Sequence, residues 1–266
     1  MPFFSNSAEK QAALKEDQPI IVMSRGHSGT RVLGWVLDKI GIHMGTSLEN
    51  PAADTQDLRF TERIKRLSQK HLHEAPNTQL NARDLAQFQK QLIKYKSWLG
   101  PNLQPGWGWK FPETYLISNY VHAALPKAKY IHMLRDGRDI AFKEHSTDRP
   151  KRLGKTLLKH IDALHEPAHI RAARSWEFQV KRFDSMSAPL KDNMISLRFE
   201  DLIQHPVETA ERVSAFVGQE LTEECRQYLS TKIDTTRISQ YRTEDPKLIA
   251  EVEKAIGPTL HQFGYL

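Results

Sequence analysis

The chain has 266 residues, 38 Lys+Arg against 32 Asp+Glu for a formal charge of +6, 39% hydrophobic residues and a single cysteine. That length allows one large α/β domain or two small ones, with a core that needs no covalent staples. Cys225 has no partner within the chain, which excludes a disulfide scaffold, and apolar stretches such as Ile20 to Met23 fall far short of the ~20 residues of a membrane span.

Met1 to Gln18 is mixed and polar, without the apolar core of a signal peptide, so a cytoplasmic location is expected. Six surplus charges suit an anionic ligand better than a dedicated nucleic-acid binder. No repeat or long linker divides the sequence. The expectation is therefore one domain over residues 1–266 with a helical insertion at about 55–99.

Pro19 to Ser24 is a short apolar run of the kind that forms a strand buried on both faces. It leads through Arg25-Gly26-His27-Ser28-Gly29 into a helix whose apolar face is Val32, Leu33, Val36, Leu37 and Ile40. Residues 55–99 read as two exposed helices interrupted near Pro76-Asn77. Then follow a strand at Trp107 to Phe111, a helix from Glu113 to Leu125, a strand at Lys129 to Leu134 and a helix from Gly137 to His145. A long amphipathic helix carries Ala173, Trp176, Val180 and Phe183, and Met194 to Phe199 is a further strand.

Strands separated by helices imply a parallel sheet, whose ligands sit beyond the carboxyl ends of the strands. The residues at those ends are polar: Ser24-Arg25-Gly26-His27, Pro112-Glu113, Arg135-Asp136-Gly137-Arg138 and Glu200-Asp201. The loop from Ser24 to Arg31 joins a buried strand to a helix start, where free amides and the helix dipole make an anion cradle. Its register departs from the nucleotide-triphosphate pattern G-x-x-x-x-G-K-[ST]: Ser24 stands for the first glycine and Thr30-Arg31 for the Lys-[ST] pair. The hydroxyl that binds Mg²⁺ is missing, which argues against ATP or GTP hydrolysis.

The segment Arg25-Gly26-His27-Ser28-Gly29-Thr30-Arg31 resembles the 5′-phosphosulfate loop of sulfotransferases. Ile131 to Asp139, in which a strand ends in Arg135-Asp136, resembles that family's second signature, and Leu197-Arg198-Phe199-Glu200-Asp201-Leu202 resembles its third, in the same order. The resemblance implies a P-loop-NTPase-like three-layer α/β fold with a mainly parallel sheet flanked by helices. It also implies metal-free transfer of a sulfuryl group from 3′-phosphoadenosine 5′-phosphosulfate to a hydroxyl or amine.

By that resemblance Arg25, Gly26, His27, Ser28, Gly29, Thr30 and Arg31 cradle the 5′-phosphate, and Arg135 holds the 3′-phosphate. Two positions depart from the family: His27 replaces a Lys or Arg, and Lys143 replaces a serine that serves the 3′-phosphate, with Ser146 one turn away. Lys110 resembles the lysine before the catalytic residue, although Pro112 replaces a histidine there. The base is Glu113 or, as in members with an acid some twenty residues past the loop, Glu49, with Asp54 and Asp57 close by.

Between Lys127 and Arg152 lie eight basic and four acidic residues, a surplus that suits a doubly phosphorylated nucleotide. Arg237 and Arg242 are the nearest substitutes for the family's C-terminal phosphate loop. Exposed Trp98, Trp107 and Trp109 would stack on a sugar, favouring a carbohydrate acceptor. Two alternatives stay open: a nucleotide or small-molecule kinase, and a catalytically inactive polyanion-binding module.

Overall fold

Ile20, Ile21, Val22 and Met23 are apolar without interruption, so a strand made of them is stable only with both faces covered. In the computed structural model, which describes residues 7–46, 50, 53–75 and 78–266, they form the central strand β1, Ile20–Met23. Four more strands follow: β2, Ile42–His43; β3, Gly106–Lys110; β4, Lys129–Leu134; and β5, Met194–Arg198. They pair in the order β2-β3-β1-β4-β5 with every pairing parallel.

The period of two along β1 divides the core into two layers. Ile21 and Met23 join Trp109, Tyr130, Trp176 and Phe183 on one face, while Ile20 and Val22 join Leu33, Val36, Leu37 and Val213 on the other. Helices thus cover both faces of the sheet, and all five strands end at the same edge. The anticipated strands fall where expected, and β2 is an addition. Two residues after Gly41, itself in a left-handed conformation, are too short for a periodic signal.

Three expectations are corrected. The helices Leu58–His71 and Ala82–Leu99 are not peripheral: Phe60, Ile64 and Leu67 of the first and Phe88, Leu92 and Tyr95 of the second enter the core layer of β3. Phe60 stacks on Tyr95 at 4.3 Å and meets Trp109 edge-on at 5.1 Å. Their inward stripes are narrow and the polar majority faces out, so composition alone reads as exposed; the expected break at Pro76-Asn77 lies outside the described residues.

Trp107 and Trp109 are buried in that layer, and only Trp98 is half exposed. Alternation along β3 turns Trp109 inward, which removes two of the three rings from any sugar platform. Finally, the chain after Glu113 opens as a 3₁₀ turn, Pro112–Ile117, before the α-helix Ser118–Ala124, and the helix after Asp136 ends at Ala141. No helix among the described residues is long and apolar enough to cross a membrane.

Phe60→Ala should destabilise the protein by about 3–5 kcal/mol in urea unfolding, whereas Leu58→Ala, at a side chain 78% exposed, should change stability by less than ~0.5 kcal/mol. Equal effects would mean that the two helices are appendages after all.

Candidate functional site

At the carboxyl end of β1 the backbone turns twice into the left-handed region, at His27 (φ 68°) and Gly29 (φ 85°). Gly29 precedes the helix Thr30–Lys39 and offers no capping side chain; the Val32 amide turns back to the Gly29 carbonyl at 3.2 Å, and the Thr30 and Arg31 amides are left to a ligand or solvent. A Cβ at Gly29 would lie 2.2 Å from the Phe199 ring, so conformation and contact both demand glycine. A left-handed entry into an uncapped helix start gathers amide groups into an anion-binding concavity.

The segment from Glu144 to Asp148 holds this loop from outside. Buried Arg25 donates to the Asp148 carboxylate, which also accepts from the His145 amide at 2.9 Å and the Thr147 hydroxyl at 3.1 Å. The His145 ring packs so closely on Gly26 that a Cβ there would sit 2.4 Å from it. The His27 Nε2 lies 3.1 Å from the Glu144 carbonyl oxygen. Burial and Arg25 lower the His27 pKa, which favours its neutral form. Arg25, expected to face a ligand, is instead only 1% exposed and paired beneath the loop, because a buried guanidinium requires a carboxylate. Arg31, by contrast, is exposed at the rim.

Arg135 closes the loop from the β4 side. Its guanidinium donates to Asp139 at 2.8 and 3.2 Å, to the His27 carbonyl at 3.2 Å and to the Arg237 carbonyl at 2.7 Å, and lies 3.8 Å over the Phe199 ring. The fork expected to grip a phosphate is thus occupied by protein groups. Lys143 is less committed: its Nζ reaches the Asp139 carbonyl at 3.3 Å and Gln240 Oε1 at 3.0 Å. It opens on a cavity of about 460 Å³ lined also by Ser239, Gln240, Tyr241 and Thr243 and by the carboxylates Asp139 and Glu244, the first of them held by Arg135. Burial and then Arg135 lower its pKa, a tendency that a bound anion would reverse.

Arg237 reaches this place through its backbone, its side chain turning to Asp234 at 3.2 Å, and Arg242 lies 6.0 Å over Tyr241. Much of the basic surplus between Lys127 and Arg152 is neutralised locally, Arg138 by Asp136 and Glu253 and Arg149 by Glu144.

On the other flank, Lys110 ends β3 almost fully buried, with Nζ 2.5 Å from Asp54 Oδ1. Burial lowers its pKa, the Asp54 carboxylate opposes this, and the Arg31 charge adds to the lowering. Glu113 follows, 3% exposed, accepting from the Ser146 hydroxyl at 2.8 Å. Burial pushes its carboxyl up, a shift the Ser146 bond moderates. Glu49 lies outside the described residues, and Asp57 caps the helix Leu58–His71 through the amides of Arg59 and Phe60.

The fold therefore brings together the loop from Gly26 to Arg31, Lys110, Glu113 and Arg135, with Lys143 beyond Arg135. Sequence reasoning missed the parts played by His145 and Asp148; Phe199 and Asp139 lie inside the third and second signatures, but their contacts with Gly29 and Arg135 join segments that the signatures do not relate. Among the described residues no cluster of three His, Cys, Asp or Glu could hold a metal ion.

A family model described as a sulfotransferase family matches residues 19–223. Among solved structures, the sulfotransferase domain from the curacin biosynthetic pathway superposes with a TM-score of 0.54 at 15% identity, covering 91% of this chain and 98% of that one. The sulfotransferase domain from the Synechococcus PCC 7002 olefin synthase gives 0.53 at 14% identity, with coverage of 91% and 96%. At such identities the likeness is one of fold. No curated protein matches in sequence.

Two outcomes follow from the buried charges. Asp148→Ala strands the Arg25 guanidinium and should cost about 3–5 kcal/mol in urea unfolding. The Glu113 carboxyl is held above its unfolded value, so the stability it confers is complete below about pH 4 and declines as pH rises through the folded value. Glu113→Gln abolishes that decline, so the variant's stability relative to wild type should grow with pH in thermal melts. A constant difference from pH 4 to 8 would contradict the raised carboxyl.

Proposed function

The chain belongs to the sulfotransferase family, and on that footing we propose that it moves a sulfuryl group from 3′-phosphoadenosine 5′-phosphosulfate to a hydroxyl or amine of an acceptor. The observation that carries this reading is the uncapped helix start at Gly29-Thr30, entered through two left-handed residues, with Lys110 at the next strand end.

The residues present fit the nucleotide. The amides from Ser28 to Arg31, with the Thr30 hydroxyl, would hold its 5′-phosphate, and Lys143 in its cavity, with Arg135 fixing the floor, would hold the 3′-phosphate. When bound, the donor supplies an activated sulfuryl group on a phosphate leaving group. Lys110 and Arg31 supply positive potential where negative charge builds on that phosphate. Glu113, buried and raised, is the carboxylate suited to take the acceptor's proton, because a base is most effective when its pKa approaches the working pH.

With Trp107 and Trp109 in the core, the case for a carbohydrate rests on Trp98 alone, so the reading goes no further than a hydroxyl or amine acceptor.

Calorimetry should detect adenosine 3′,5′-bisphosphate binding without Mg²⁺, and Lys143→Ala should weaken it roughly tenfold or more while leaving adenosine 5′-phosphate binding unchanged. No binding at millimolar nucleotide would overturn the donor assignment. With labelled donor and a panel of hydroxyl and amine acceptors, Glu113→Gln should lower kcat by about 10²–10⁴-fold with bisphosphate affinity retained.

A further inference from the structure

A buried base faces a difficulty that an exposed one does not. Before the reaction its carboxylate needs a hydrogen-bond donor, and afterwards its new O–H needs an acceptor; a buried group left unmatched in either state costs the rate. At Glu113 one residue can answer both needs. The Ser146 hydroxyl lies 2.8 Å from Glu113 Oε1 and 3.3 Å from His145 Nδ1, between one acceptor that changes protonation and one that does not.

The state of His145 follows from its neighbours. The Thr147 amide donates to Nδ1 at 3.4 Å, which leaves Nδ1 unprotonated and assigns the ring hydrogen to Nε2, on the side of Gly26. The Thr147 hydroxyl, also 3.1 Å from Nδ1, gives its hydrogen to the Asp148 carboxylate at 3.1 Å, the stronger acceptor, and accepts from the Gln179 amide at 3.2 Å. Burial, followed by Arg25, His27, Lys65 and Arg149, holds the ring neutral. Facing the array are Lys65 and Asp54 on the Glu113 side, and Arg25, His27, Asp148 and Arg149 on the His145 side.

We propose that Ser146 and His145 are positioning residues that form a hydroxyl rotor, keeping Glu113 hydrogen-bonded both before and after it takes the acceptor's proton. The proposal rests on Glu113 being the base. As the acceptor atom bonds to sulfur, the sulfur–oxygen bond to the donor phosphate breaks and its electron pair leaves with the phosphate, while the acceptor's proton passes to Glu113. The Glu113 O–H then donates to Ser146 Oγ, and the Ser146 hydrogen turns from Glu113 to His145 Nδ1. No proton reaches the histidine, so no second charge is created beside buried Glu113. Proton loss to bulk water resets the array.

The rotor predicts shifts of opposite sign in the Glu113 titration, read by carboxyl ¹³C NMR on the whole chain without substrate. Ser146→Ala removes the donor to the carboxylate and should raise the midpoint by about one pH unit. His145→Phe keeps a ring on Gly26 but removes the acceptor needed by the protonated state, so it should lower the midpoint by about half a unit. His145→Asn, with an amide oxygen in place of Nδ1, should stay near wild type. In the wild-type protein the His145 Nδ1 ¹⁵N signal should move in step with the Glu113 titration, a readout that needs no variant. Shifts of the same sign, or a His145 signal unmoved while Glu113 titrates, would overturn the rotor even with Glu113→Gln inactive. Transfer that survives Glu113→Gln would overturn the base assignment on which it rests.

Discussion

A guanidinium removed from water must carry its counter-charge with it, and Arg25 takes Asp148. This pair sits beneath the loop after β1, where a lone cation would be intolerable, and it joins two segments 123 residues apart. Once it forms, the turn from Glu144 to Asp148 has little freedom: its backbone amide at His145 and its Thr147 hydroxyl bind the same carboxylate. His145 is thereby pressed on Gly26, and Ser146 is delivered to Glu113. Arg135 plays the matching part on the other side by tying the His27 carbonyl to Asp139 and Arg237. The loop is held by arginines that face inward, which leaves its amides as the groups that face out.

Burial drives the titratable groups of the site in one direction. It raises Glu113, lowers Lys110 and Lys143, and keeps His27 and His145 from protonating. Each shift moves its group toward the neutral form, because a low-dielectric environment penalises charge of either sign. The lysines of the site are therefore responsive to a ligand: a bound polyanion favours their charged forms, and the lysines in turn favour the anion. That reciprocity suits the multiply charged nucleotide proposed as donor.

Wherever a signal was local, the sequence was legible. The uninterrupted apolar run at β1, the spacing of Val32, Leu33, Val36 and Leu37, and the glycines around Ser28 each express a constraint acting within one turn or one strand, and each element lies where those residues put it. The polar ends of β1, β3, β4 and β5 were readable as one site because parallel strands must end on the same edge. Charge was less legible. The basic surplus around Arg135 counts residues without their partners, and Asp136, Glu253 and Glu144 cancel much of it.

What the amino-acid sequence determined by itself is the parallel α/β architecture, the glycine-bearing loop after β1 and the family, since periodicity, turn chemistry and motif order are properties of neighbours in the chain. Tertiary structure alone decided that Arg25 and Arg135 brace the loop, that Trp107 and Trp109 are core, and that Ser146 meets Glu113. The Ser146–Glu113, Arg135–His27 and Arg25–Asp148 contacts join residues 33, 108 and 123 apart, and the desolvation that gives them their energy exists only after the two segments have excluded water between them.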